Sequence, residues 1–293
     1  MWTVDLIIVL RVVLSLVCLF LVIHFAKKTR KWRIQCRIRV LQRSFPDSTF
    51  AIVNSRPFVF VSDEVKADLA TLIDHTVNWI VPKLKSTCFG KIPKANATIW
   101  LLRNRESYEN YVHAYGTPEL LLRGGYFSSR NNEIVMDSCR CYGPLLHEMV
   151  HAFVDADFRD CPAWFNEGLA TLYGTCNEEG EVLNHSHARL SDIQSAIFAN
   201  TVLSLDDLCA LTWNDFSGND AHKYYAQTEY LCYYLQQKGL LKEFYRECKR
   251  NHWKDPTGYA TLQKVVKCKD VQDFQKDWEE FILGISSFDE TPW

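Results

Sequence analysis

Two histidines and a glutamate interrupt the apolar stretch YGPLLHEMVHAF, residues 142–153, at positions 147, 148 and 151. On a helix, residues four apart stack on one face with Cβ atoms about 5–6 Å apart. The imidazoles of His147 and His151 can then reach one cation at about 2.0–2.1 Å, the zinc–nitrogen distance. Glu148 is turned about 100° from His147, which puts it beside the ion without chelating it together with both rings. That place suits a general base taking a proton from a zinc-bound water, whose pKa the metal lowers to about 7. Leu146, Met149, Val150, Phe153 and Val154 form the opposite face, which would pack into a core and hold the helix. Three polar side chains on an apolar helix are costly to desolvate, and a metal ion offsets that cost.

Catalytic zinc takes three protein ligands and leaves one position open. Two acids downstream of His151 compete for the third place. Asp157 sits where the extended HExxHxxGxxH/D pattern puts its last ligand, but that pattern needs a glycine at 154 to break the helix. Val154 stands there, and a β-branched residue rarely adopts positive φ. Glu167, in PAWFNEGLATLYG, is the better candidate, on a second helix after a connection long enough for the chain to turn back. Asp155, four residues after His151, is the candidate to support a histidine from behind. Cysteine offers no competing site: Cys139 and Cys141 flank one residue, so neither a redox CxxC nor a zinc ribbon is present. Eleven cysteines without regular spacing fit reduced, mostly buried thiols. DADFRDCPAWFN, residues 155–166, lacks the glycine and the final glutamate of a calcium loop. His185 and His187 read as solvent-facing loop histidines.

The elements that must position these residues can be followed along the chain. FAIVNS and PFVFVS, joined at Arg56-Pro57, read as two strands and a turn. A helix follows from Ser62-Asp63, then a strand over 97–103, a short helix over 106–115, and a β-hairpin turning at Arg130-Asn131-Asn132. Gly143-Pro144 opens the helix of the histidines, with proline in the first turn, where a missing N–H is harmless. Pro162 starts the Glu167 helix and Gly174 ends it; from about 186 onward the periodicity is helical. The expectation is an α+β fold. A mixed lobe over 44–158 ends in the histidine helix, a helical lobe over 159–293 carries Glu167, and a substrate cleft runs between them.

HEMVH followed by NEGLA resembles the gluzincin zinc metallopeptidases, most closely their peptidase-MA-like domains, and the similarity runs from about residue 97 to residue 284. The resemblance takes in GGYF and EIVMD, CPAWFNEGLA, YYAQTEYLCYYL and FQKDWEEFI. It implies a zincin-like fold and one Zn2+ per chain held by His147, His151 and Glu167. It implies Glu148 as the general base of peptide-bond hydrolysis. A tyrosine on a later helix would stabilise the oxyanion; Tyr225 matches that place best, with Tyr224 and Tyr230 as the other readings. The GGYF strand would be the edge along which an extended peptide pairs. The glycine-rich motif by which gluzincin aminopeptidases read a free amine has no match before His147, Glu133 being the nearest acid, so an internal cut is favoured over an amino-terminal one. Two alternatives stay open: an inactive zinc-containing interaction module, and a zinc hydrolase of non-peptide bonds.

The remaining features bound where such a protein works. Of 293 residues, 47% are apolar and 23% charged, the composition of a globular chain with a large core. A formal net charge of -2 argues against a nucleic-acid partner. Residues 6–26, LIIVLRVVLSLVCLFLVIHFA, contain one charge, Arg11, and match the roughly 20 helical residues that cross a bilayer core. No basic region precedes them and no small-residue cleavage site follows, so a retained transmembrane anchor over 1–26 is expected in place of a signal peptide. Residues 27–43 carry basic residues and no acid. This juxtamembrane segment would lie on lipid headgroups and keep the large domain on the cytoplasmic side of a single-pass membrane protein.

Overall fold

A computed structural model of the chain describes residues 29, 31–32, 34–36, 38–40, 42–43, 50–63, 66–93, 97–137, 142–175, 187–267 and 271–285. The chain divides into two units, Met1–Phe50 and Ala51–Trp293. In the first, the described residues between 29 and 43 are helical. The anchor expected over 6–26 lies outside the described residues, and among those described no helix is long and apolar enough to cross a membrane.

The second unit is α+β, with every described strand before residue 138. Five strands, β1 (Ala51–Ser55), β2 (Phe58–Ser62), β3 (Ala97–Leu102), β4 (Gly125–Ser128) and β5 (Glu133–Asp137), form one mixed sheet in the order β1-β2-β3-β5-β4. β3 runs parallel to β2 and β5, while the hairpins β1–β2 and β4–β5 are antiparallel. The three inner strands are buried at every residue. That is why FVFVS, ATIWLL and EIVMD are near-continuous apolar runs, as strands covered on both faces are. β1, at one edge, alternates between half-buried and exposed.

The pleat sorts these side chains onto two faces. Phe58, Phe60, Ile99, Leu101, Ile134 and Met136 turn into the main core, which they share with α1 (Lys66–Thr87) and α3 (Tyr142–Asp157). Trp100 points the other way, against α2 (Arg105–Tyr115), with its ring 5.1 Å from that of Tyr111. Leu69, Ile73, Val77, Ile80 and Leu84 recur every three or four residues on α1 and are all buried, the apolar stripe of a helix lying on a sheet. In α3, Leu145, Leu146, Met149, Val150, Phe153 and Val154 are buried, whereas His147, Glu148, His151 and Asp155 are only partly so.

After α3 the described elements are helices: α4 (Ala163–Gly174), α5 (His187–Phe198), α6 (Leu205–Cys209), α7 (Ala221–Gln237), α8 (Leu241–Asn251), α9 (Tyr259–Val266) and α10 (Val271–Leu283), with short 3-10 turns at Pro118–Leu122 and Asp215–Ser217. α4 is buried from Ala163 to Tyr173 because it lies between α3 and α7. Its contact with α7 depends on Gly168. A Cβ there would come within 2.7 Å of the Thr228 carbonyl oxygen and 2.8 Å of Cys232 Sγ, so only glycine lets the two helices approach this closely. The described cysteines Cys88, Cys161, Cys209, Cys232 and Cys248 are free and buried.

Candidate metal centre and cleft

α3 and α4 bring three side chains to one point. His147 Nε2 and His151 Nε2 are 3.0 Å apart, and Glu167 Oε2 lies 3.2 Å from the first and 3.6 Å from the second. A tetrahedral ion with ligand bonds of about 2.0–2.1 Å has ligand atoms about 3.3–3.4 Å from one another. The three observed separations bracket that value. Among the described residues, these three are the group of histidine, cysteine and acidic side chains placed to share a cation.

The chemistry of the donor set points the same way. Glu167 is 5% exposed, yet its Oε2 is buried without a hydrogen bond. A buried carboxylate left so costs several kcal/mol, roughly, unless a positive charge meets it. His151 Nδ1 lies 2.8 Å from Asn166 Oδ1. An amide oxygen only accepts, so Nδ1 carries the proton and Nε2 turns its lone pair toward the centre. Burial pulls the His147 pKa down, but the adjoining Glu167 carboxylate outweighs it and the net direction is up. Burial pushes the Glu167 carboxyl up, and the two histidines, His151 first, more than reverse this. The residues present thus fit a metal ion.

The centre opens into a cleft of about 920 Å³. Gly125, Tyr126 and Phe127 of β4 form one wall, and β4 is an edge of the sheet. Its register, with Tyr126 opposite Val135 and Phe127 opposite Ile134, uses one side of the strand and leaves the other toward the cleft. Glu148 lines the same space beside the two histidines. So does Tyr225 of α7, whose ring centroid is 6.3 Å from that of His147. Burial, and then the nearby Glu167 charge, push the Tyr225 phenol well above its ordinary value, which keeps it a hydrogen-bond donor at neutral pH. Of the other two tyrosines, Tyr224 packs against the core and Tyr230 is fully buried; neither lines the cleft.

The expected metal residues therefore meet, and two competing assignments are redirected. Asp157 accepts from Tyr245 Oη at 3.0 Å and pairs with Lys249 Nζ at 2.8 Å, away from the histidines. Asp155 supports neither histidine; its Oδ1 accepts from Ser129 Oγ at 2.5 Å and faces Arg159 Nε at 3.4 Å. The supporting role at His151 belongs to Asn166, whose only signal in the sequence is that it precedes Glu167. Glu133 is buried in β5, where its carboxylate takes bonds from Asn131 and Tyr111, and it does not line the cleft. Sequence reasoning also passed over Arg123 and Trp213, both cleft-lining; the Trp213 ring is 6.3 Å from that of His151. No family model matches the chain, and no curated protein matches it.

Proposed function

We propose that this chain is a zinc metallopeptidase of the gluzincin type, with a zincin-like two-lobed arrangement around the cleft and a membrane anchor over residues 1–26. The observation that carries this reading is the buried Glu167 oxygen, which makes no hydrogen bond yet lies 3.2 and 3.6 Å from two imidazole nitrogens. A carboxylate in that setting supports a reading as the third ligand. An open cleft with a second carboxylate, Glu148, beside the ligands favours catalysis over a closed structural site.

His147, His151 and Glu167 would hold the zinc, with Asn166 keeping the His151 ring in its ligating tautomer. When bound there, zinc supplies Lewis acidity to a water molecule and to the carbonyl under attack. An extended peptide pairs with the free side of β4, main chain to main chain, which brings its carbonyl over the ligands. Glu148 takes the proton from the attacking water and passes it to the leaving amine. The Tyr225 phenol donates a hydrogen bond to the carbonyl oxygen as negative charge grows there.

The experiment is an incubation of the zinc-loaded full-length chain with a mixed-sequence peptide library, read by mass spectrometry. Glu148→Gln is expected to retain zinc and to cut about 10²–10⁴-fold more slowly, the range of a lost general base. Equal cleavage by the two proteins would overturn the assignment.

A further inference from the structure

Two arginines line the cleft, and the reaction above uses neither. Arg159 faces Asp155. Arg123 has no carboxylate partner among the described residues, although it sits where the chain enters β4. Its Nη2 donates one hydrogen to Ser217 Oγ at 2.8 Å, leaving the second Nη2 hydrogen, together with Nε or Nη1 beside it, as a two-donor edge for a ligand. Ser217 belongs to the helical part of the unit and Arg123 to the sheet part, so this contact bridges the cleft at the end where β4 begins. Arg105 fixes the backbone beneath: its Nη1 donates to the Arg123 carbonyl at 2.7 Å and its Nη2 to the Leu121 carbonyl, while its Nε is held by Glu109 at 2.7 Å. The guanidinium lines the same cleft as His147, His151 and Glu167.

The direction of β4 says which end of a peptide would meet this charge. An added strand pairs more favourably when antiparallel, so its carboxyl end would lie toward Gly125 and Arg123, and its amino end toward Ser128. An amino terminus at Arg123 would meet a like charge. At the far end Ser129 and Arg159 are exposed, which leaves the upstream part of a substrate free to extend into solvent. A chain continuing past Arg123 would have to open the Arg123–Ser217 bridge, whereas a chain ending there presents two oxygens to a planar fork of donors.

We propose that Arg123 recognises the free C-terminal carboxylate of an extended peptide, so that the substrates are peptides cut close to their carboxyl end. For cleavage this deepens the peptidase reading and rests on it; for binding it does not. Because the guanidinium is exposed, its contribution is expected to weaken as salt rises.

The test measures binding first. Zinc-loaded full-length Glu148→Gln is titrated with N-acetylated mixed-sequence peptides that end either in a free carboxylate or in an amide, with calorimetry as readout. The free acids are expected to bind about tenfold more tightly, with the ratio near one in Glu148→Gln combined with Arg123→Gln and partly restored by Arg123→Lys. Equal binding of acids and amides, or a ratio that survives Arg123→Gln, overturns the proposal, as does the binding of neither form. Cleavage by the wild-type chain separates the two readings. Discrimination in binding without hydrolysis removes the peptidase and keeps the carboxylate site; hydrolysis of acids and amides at equal rates keeps the peptidase and removes the site.

Discussion

At the centre, the lone pair of His151 Nε2 is set by a neighbour on the far side of the ring. Asn166 accepts from His151 Nδ1 at 2.8 Å, so removing it frees the ring to rotate or to protonate the wrong nitrogen. Asn166→Ala is expected to weaken zinc binding about 10–100-fold, measured by competition with a chromophoric chelator, while Asp155→Ala leaves it within about twofold. Protons compete for the same site. The folded His147 has a raised pKa, with burial opposing and the Glu167 carboxylate prevailing. In the metal-free chain the protonated ring therefore adds stability below the ordinary histidine value of 6.5, and that stability is lost as pH rises through the raised value. Zinc needs the neutral ring, so the sign for the metal is opposite. Between about pH 8 and about pH 6, zinc affinity should fall and the melting temperature of the metal-free chain should rise relative to the loaded one. An affinity flat across that window would show that His147 is not a ligand.

Among the elements, α4 carries the most. One face brings Glu167 to the two histidines and Asn166 to His151; another gives Gly168 to α7, which in turn brings Tyr225 to the cleft. Gly168→Ala would set a Cβ within 2.7 Å of a main-chain oxygen, which the helices can relieve only by separating. A loss of about 1–3 kcal/mol is expected, seen as a lower midpoint in denaturant, with Tyr225 displaced from the metal. An unchanged midpoint would mean that the two helices are not packed this tightly. Much of this was legible in the sequence. The i,i+4 histidines, the apolar face behind them and the NEGLA helix all lie within single helices, where residue spacing maps directly onto direction in space. The β4–β5 hairpin was legible too, since its turn is local. The parallel pairing of β3 with β2 and β5 was not, because alternation along FVFVS or ATIWLL sets the faces of a strand but not its neighbours. Asp155 shows the same limit at a single side chain. Its helical spacing from His151 suggested a supporting role, yet the β4–β5 turn comes close enough for Ser129 to take it. Arg123 carries no periodic signal at all, and only the folded chain reveals that it faces Ser217 across the cleft.

For the whole molecule, the proposal joins a hydrolytic cleft to a membrane. Residues 6–26 hold one charge in a long apolar run, so the full chain is expected to sediment with membranes, to resist high-salt washing and to be released by detergent. Protease added to intact cells should leave the large domain whole, in keeping with basic residues after the run; release by salt alone would contradict the anchor, and digestion would contradict the orientation. Both ends of the cleft carry an arginine, but Arg159 faces Asp155 whereas Arg123 has no carboxylate partner among the described residues, and in the proposed reading this asymmetry sets the direction along which a peptide lies. All of this depends on three side chains sharing one cation, and X-ray absorption at the zinc edge of the loaded full-length chain reads that directly. The expected first shell holds nitrogen and oxygen scatterers only, at about 2.0–2.1 Å, and loses its carboxylate contribution in Glu167→Ala. A sulfur shell at about 2.3 Å, or a spectrum that Glu167→Ala leaves unchanged, would contradict the account.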